Sequence, residues 1–139
     1  MGEVTPESRL LRSFVAPIGH GSLWLRDVHA EETHDDWDPT AVACHAEGNS
    51  LAIATRLDVE GLTAVEIWQG EPEAALPVIV YSGALESAAG WLEVSDADSY
   101  VRMEIRGLPC SMKVQVFTEG GVEPGRVQIA IRAVNETRG

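Results

Sequence analysis

The chain has a single lysine among its 139 residues, two cysteines, aromatics at only 6%, and no apolar run long enough to cross a bilayer. Each scarcity excludes something. With Lys113 as the sole lysine and a formal net charge of -12, the composition is the reverse of a nucleic-acid-binding footprint, which needs a basic stripe and stacking rings. The same sign of charge argues against an anionic membrane surface. No segment approaches the ~20 apolar residues of a spanning helix, and the opening Met-Gly-Glu-Val-Thr-Pro-Glu-Ser lacks a basic start followed by an apolar stretch. A cytoplasmic location is the expectation. Cys44 and Cys110 form no Cys-x-x-Cys pair, so they suggest neither a zinc site nor a disulfide framework; both are expected as reduced thiols, at least one of them buried.

Signatures of chemistry are equally scarce. No Gly-x-Ser-x-Gly elbow occurs, and no His-x-His pair of the kind a cupin uses for its metal. Cys44 precedes His45, but neighbours on a strand point to opposite faces and cannot act together there. The expectation is a protein that is not an enzyme and carries no cofactor.

What is present is charge, and it is uneven. From Asp27 to Val101 sixteen acids face one base, Arg56, which leaves -15 in that segment; the two flanks together have nine bases against six acids, or +3. Such a field steers a cationic partner toward the middle of the chain. It also serves plain solubility, with no partner involved.

The hydropathy pattern is that of short strands. Leu23 and Leu25 alternate with Trp24 and Arg26 over 22–27; Val65 and Ile67 share one face over 63–68. Val101, Met103 and Ile105 oppose Arg102, Glu104 and Arg106, while Met112, Val114 and Val116 precede a last strand with Val127, Ile129 and Ile131. Further strands are expected at 10–15, 76–81 and 90–94, with Pro77 marking an edge position or a strand start. Residues 41–46 and 50–56 read as a hairpin across Glu47-Gly48-Asn49, although Asp38-Pro39 is also a plausible helix start. About eight to nine short strands, with glycine and proline between them and no long amphipathic helix, predict an all-β chain: an antiparallel β-sandwich or flattened barrel. It forms one domain over 1–139, with 1–9 and 135–139 frayed.

One stretch breaks the pattern. His29 to Pro39 packs five acids, two histidines and one tryptophan into eleven residues with neither helical nor strand period, so it should be a surface loop with one large apolar anchor. Its candidates for partner binding are Glu31, Glu32, Asp35, Asp36, Trp37 and Asp38. Trp37 either tucks in to pin the loop or stands exposed as an anchor ringed by charge, the composition of an interface hot spot. His29, His34 and His45 are candidate metal ligands, with Glu31, Glu32 or Asp35 as oxygen donors; the bland reading is that the loop histidines are exposed and idle.

The strand Ser22-Leu23-Trp24-Leu25, the acidic loop through Asp36-Trp37-Asp38, the small-residue stretch to Gly48 and Ser50-Leu51-Ala52-Ile53-Ala54-Thr55 together resemble the competence protein J family, the DNA-entry nuclease inhibitors. The likeness spans about Gly21 to Phe117. The interval from Trp37 to Gly48 is shorter than the family's pattern, and no inhibitory residue carries over by motif. The resemblance implies an all-β protein that binds and blocks a nuclease. Independently, a nuclease cleft is basic because it holds phosphates, and an acidic protein surface fits it.

Two readings therefore leave the sequence. The first is an acidic cytoplasmic binding protein that meets a basic protein partner, a nuclease if the resemblance is followed, through the 31–38 loop. The second is a β-sandwich that binds a small ligand or metal through His29, His34 and His45, and could be an enzyme. A homo-oligomer pairing through a strand edge fits either.

Overall fold

The computed structural model describes residues 8–134. The frayed ends expected at 1–9 and 135–139 lie outside it, except for Ser8 and Arg9, and Arg9 opens the first strand. Ten strands follow in order: β1 (Arg9–Ala16), β2 (Ser22–Asp27), β3 (Cys44–Glu47), β4 (Ser50–Ala54), β5 (Thr63–Gln69), β6 (Val78–Glu86), β7 (Leu92–Asp96), β8 (Arg102–Ile105), β9 (Ser111–Thr118) and β10 (Arg126–Ala133). They form two five-stranded sheets, ordered β1-β5-β10-β9-β6 and β3-β4-β2-β7-β8. Each is open, with two edge strands, so the sandwich is the observed form rather than the flattened barrel. All pairs are antiparallel except β5–β10, where the last strand enters beside β5 in parallel.

The alternation legible in the sequence forms the core. Leu23, Leu25, Leu51, Ile53, Leu92 and Val94 of the second sheet meet Val65, Ile67, Met112, Val114, Val116, Val127, Ile129 and Ile131 of the first, all buried in one cluster with Cys44 and Ile105. Burying each such side chain contributes roughly 1.5–3 kcal/mol, so this interface dominates the stability.

Several strand boundaries differ from expectation: the strand foreseen at 90–94 forms at Leu92–Asp96 and leaves Trp91 outside it, and that foreseen at 50–56 ends at Ala54. The segment foreseen as 41–46 narrows to Cys44–Glu47, because Asp38 draws 38–42 into a tight turn: its carbonyl accepts from the backbone N–H of Ala41 and Val42. The hairpin connection has two residues rather than three, since Glu47 pairs with Ser50, and Gly48 takes the left-handed conformation (φ 57°) at its first position. β6 begins just after Pro77, at an edge, but continues through Gly83 instead of stopping there. The Tyr81 ring lies over that glycine and fills the place of a side chain.

Each sheet is covered over part of its outer face. On the first, the 70–77 connection brings Leu76 onto Phe117 and Ala130, and Gln128 fixes it by accepting from the Leu76 N–H and donating to the Ala74 carbonyl. On the second, the long connection between β2 and β3 returns across the sheet. Every residue of β4 is buried, including Ser50, Ala52 and Ala54 on the side away from the core, and their small size leaves room for the covering loop.

Charge follows the two layers. The strands of the first sheet carry five bases (Arg9, Arg12, Lys113, Arg126, Arg132) against two acids (Glu66, Glu86). Those of the second carry five acids (Asp27, Glu47, Glu93, Asp96, Glu104) against two bases (Arg26, Arg102), and the covering loop adds five acids and no base. The outer side of the second sheet with its loop is acidic, Glu31, Glu32, Asp35, Asp36, Asp38, Glu47, Glu93 and Glu104 outnumbering Arg26 and Arg102, whereas on the first sheet, once Glu71 and Glu73 of the 70–77 connection are included, bases and acids nearly balance.

Candidate functional site

The site is the covering loop, residues 28–43, seated on the outer face of the second sheet. Strand register sets the floor. Across β3, β4, β2 and β7 one row reads His45, Ala52, Trp24, Ser95, and the next reads Glu47, Ser50, Arg26, Glu93. Period-two alternation puts all eight on the side away from the core.

His34 anchors the loop to this floor. It is only 5% exposed and holds a left-handed backbone (φ 60°), a conformation that costs a non-glycine residue free energy and persists where surroundings over-determine it. Here they do. One ring nitrogen, Nε2, is hydrogen-bonded to the Ser50 hydroxyl at 2.7 Å, and the other, Nδ1, lies 2.8 Å from Nδ1 of His45. Trp24 lies against it with ring centroids 6.1 Å apart. Burial, followed by the neighbouring His45 ring, holds His34 below the ordinary histidine range; Glu47 opposes this, Arg26 adds to it, and Glu32 opposes it again. The shift favours the neutral ring of His34, and which of the two facing nitrogens carries the hydrogen depends on the tautomer.

Trp37 is half-buried and pins the loop: its indole N–H donates to the Val42 carbonyl at 2.8 Å and its ring stacks on His45 at 6.4 Å. Of the two roles open to it in sequence, the anchoring one is formed. Asp38 accepts from the Thr40 N–H at 3.0 Å and from the Thr40 hydroxyl at 2.7 Å, and these hydrogen bonds lower its pKa. Arg26 donates to the Glu32 carbonyl at 3.2 Å and packs its guanidinium 4.9 Å from the Trp24 ring centre. Glu93, buried to 9% exposure, pairs with Arg102 at 3.0 Å and Arg26 at 3.7 Å.

The candidate residues separate under this geometry. Glu31, Asp35, Asp36 and Asp38 are exposed along the loop's outer rim, and Glu32 is half-buried, its carboxylate lying over Gly48. Of the three candidate metal ligands, His34 and His45 come together and His29 does not; it is exposed, edge-on to Trp91 at 6.2 Å. The expectation of idle, exposed loop histidines fails for His34, because the loop folds back and buries it. The third group at the cluster is Glu47, whose carboxylate lies with the two rings inside 4.8 Å, in place of Glu31, Glu32 or Asp35. Sequence held a signal for it: His45 and Glu47 are two apart on a strand and must share a face. Cys44, on the opposite face, is core, with burial pushing its thiol up to about 12.

Two open five-stranded sheets packed as a sandwich define the fold of this chain. The structure of ComJ, inhibitor of the DNA degrading activity of NucA, from Bacillus subtilis, has that fold: it superposes with a TM-score of 0.72 at 12% identity, over 93% of this chain and all of the other. The protein of Crocagin biosynthetic gene J shares it with a TM-score of 0.60 at 9% identity, over 94% of this chain and all of that one. No family model and no curated protein sequence matches. The likeness lies in the arrangement of strands, not in sequence.

Proposed function

We propose that this protein is a non-catalytic inhibitor or immunity-type protein of the cytoplasm that binds a basic protein partner, a nuclease, through the rim of the 28–43 loop. The observation that carries this reading is the segregation of charge: the acidic sheet and its loop present Glu31, Asp35, Asp36 and Asp38 together, held by His34 and Trp37 on a packed scaffold. A nuclease cleft that neutralises phosphates is complementary to such a rim, and a preordered loop lowers the entropic cost of docking. The shared fold with an inhibitor of DNA degradation supports the same reading. Nucleic acid and membranes are not its ligands, since its field repels both.

The test is cleavage of plasmid DNA by a NucA-type nuclease from the protein's own host, with and without the purified protein, together with direct measurement of the complex. Stoichiometric inhibition that weakens as salt rises supports the proposal. Unchanged cleavage with no complex at low salt discards it.

A further inference from the structure

Beneath the rim, His34, His45 and Glu47 converge, and this cluster has no part in a rim-docking contact. We infer that it is a binding site for a divalent ion of the zinc class, with His34 Nδ1, His45 Nδ1 and a Glu47 oxygen as ligands. The three donor atoms already lie within 4.8 Å of one another. Two nitrogens and one carboxylate suit a borderline ion such as Zn(II) better than the all-oxygen shells of calcium or magnesium, and three protein ligands leave a fourth position for water.

The geometry accepts the ion through a local rearrangement, because the two Nδ1 atoms now face each other and must both turn toward a common centre. Imidazole nitrogens at ~2.0–2.1 Å from zinc in a tetrahedral shell sit roughly 3.3 Å apart, against 2.8 Å between the two Nδ1 atoms here. The rings must part by about half an ångström. His45 and Glu47 can supply that, because both belong to the short edge strand β3 and neither is fully buried. The proton balance closes without gain or loss. The ring that carries its hydrogen on Nδ1 moves it to Nε2 through solvent, and both Nδ1 lone pairs then face the metal. Ser50 Oγ, hydrogen-bonded to His34 Nε2, can accept or donate, so it orients His34 in either tautomer, as the outer partners of metal-bound histidines do.

The site stands apart from the nuclease reading, and its experiment contains no nuclease. Chelator-treated protein is titrated with Zn(II) by calorimetry and with Co(II) by visible absorption. The expected result is one equivalent bound per chain, visible bands of a four-coordinate Co(II) nitrogen-oxygen shell, and a thermal midpoint that rises with free Zn(II). Glu47→Gln and His45→Ala should each weaken binding at least roughly tenfold, while Glu31→Gln and Asp35→Asn on the rim leave it unchanged. Glu47 is exposed, so its variant tests ligation in a folded protein. Absence of stoichiometric binding, or equal weakening by the rim variants, overturns the inference and leaves the histidine pair as a hydrogen-bonded clasp.

Discussion

Nδ1 of His34 and Nδ1 of His45 lie 2.8 Å apart, joining the middle of the long acidic loop to the edge strand that ends it. The contact closes an eleven-residue separation, and Trp37 caps it from above. Whatever the loop does, it does from this clasp.

Removing the clasp should loosen the loop and cost stability. His34→Ala takes away one buried and one partly buried hydrogen bond and leaves Ser50 unpaired, a loss of about 1–3 kcal/mol. Denaturant unfolding measures it, and faster amide exchange confined to 28–43 shows where it acts. An unchanged midpoint would mean the loop is held without His34.

Acid should release the same contact. His34 is held below 6.5, its ordinary value, so above that pH both folded and unfolded forms are neutral and stability is complete. As pH falls below 6.5 the unfolded chain takes up the proton first, and stability declines until the folded form is protonated too. In metal-free buffer the unfolding midpoint should therefore drop from pH 7.5 to below 6, and His34→Gln should flatten that slope.

The rim acids and Asp38 should behave differently. Asp35→Lys with Asp36→Lys reverses charge on exposed side chains, so association with a basic partner slows and its salt dependence shallows, with no loss of stability. Asp38→Ala removes the acceptor of both Thr40 hydrogen bonds, so it disorders the turn at 38–42. Stopped-flow association and amide exchange separate the two effects.

Gly48→Ala should destabilise by about 1–2 kcal/mol. Its backbone sits at φ 57°, and a Cβ there would run into the Glu32 carboxylate, so the substitution strains the hairpin and displaces the loop together. Thermal unfolding checks it; a neutral result would show that Glu32 is free to move aside.

The two thiols should react unequally. Cys110 is exposed, while Cys44 is buried with its thiol pushed up to about 12. At pH 8 a disulfide reagent should modify one thiol per native chain and two after denaturation. Cys110→Ser should abolish the native reaction.

Sequence by itself determined the inward faces of the strands whose residues alternate, while leaving 41–46 open between strand and helix. Leu23 with Leu25, Val65 with Ile67, and Ile129 with Ile131 alternate at the pleat period, and only a strand with one face on a core satisfies that spacing. It also determined that Cys44 and His45 part to opposite faces and that Pro77 marks an edge position or a strand start. The acid-rich middle of the chain was equally plain, because charge is read directly from composition. Tertiary structure alone decided that His34 is buried and that Glu47, not His29, completes its cluster. The 28–43 loop has no period from which a direction could be read, and its path depends on the space left by Ser50, Ala52 and Ala54 on a neighbouring strand. Contacts between residues eleven or more apart arise from sheet register and from the fold-back of an irregular segment, and neither is a local property of the chain.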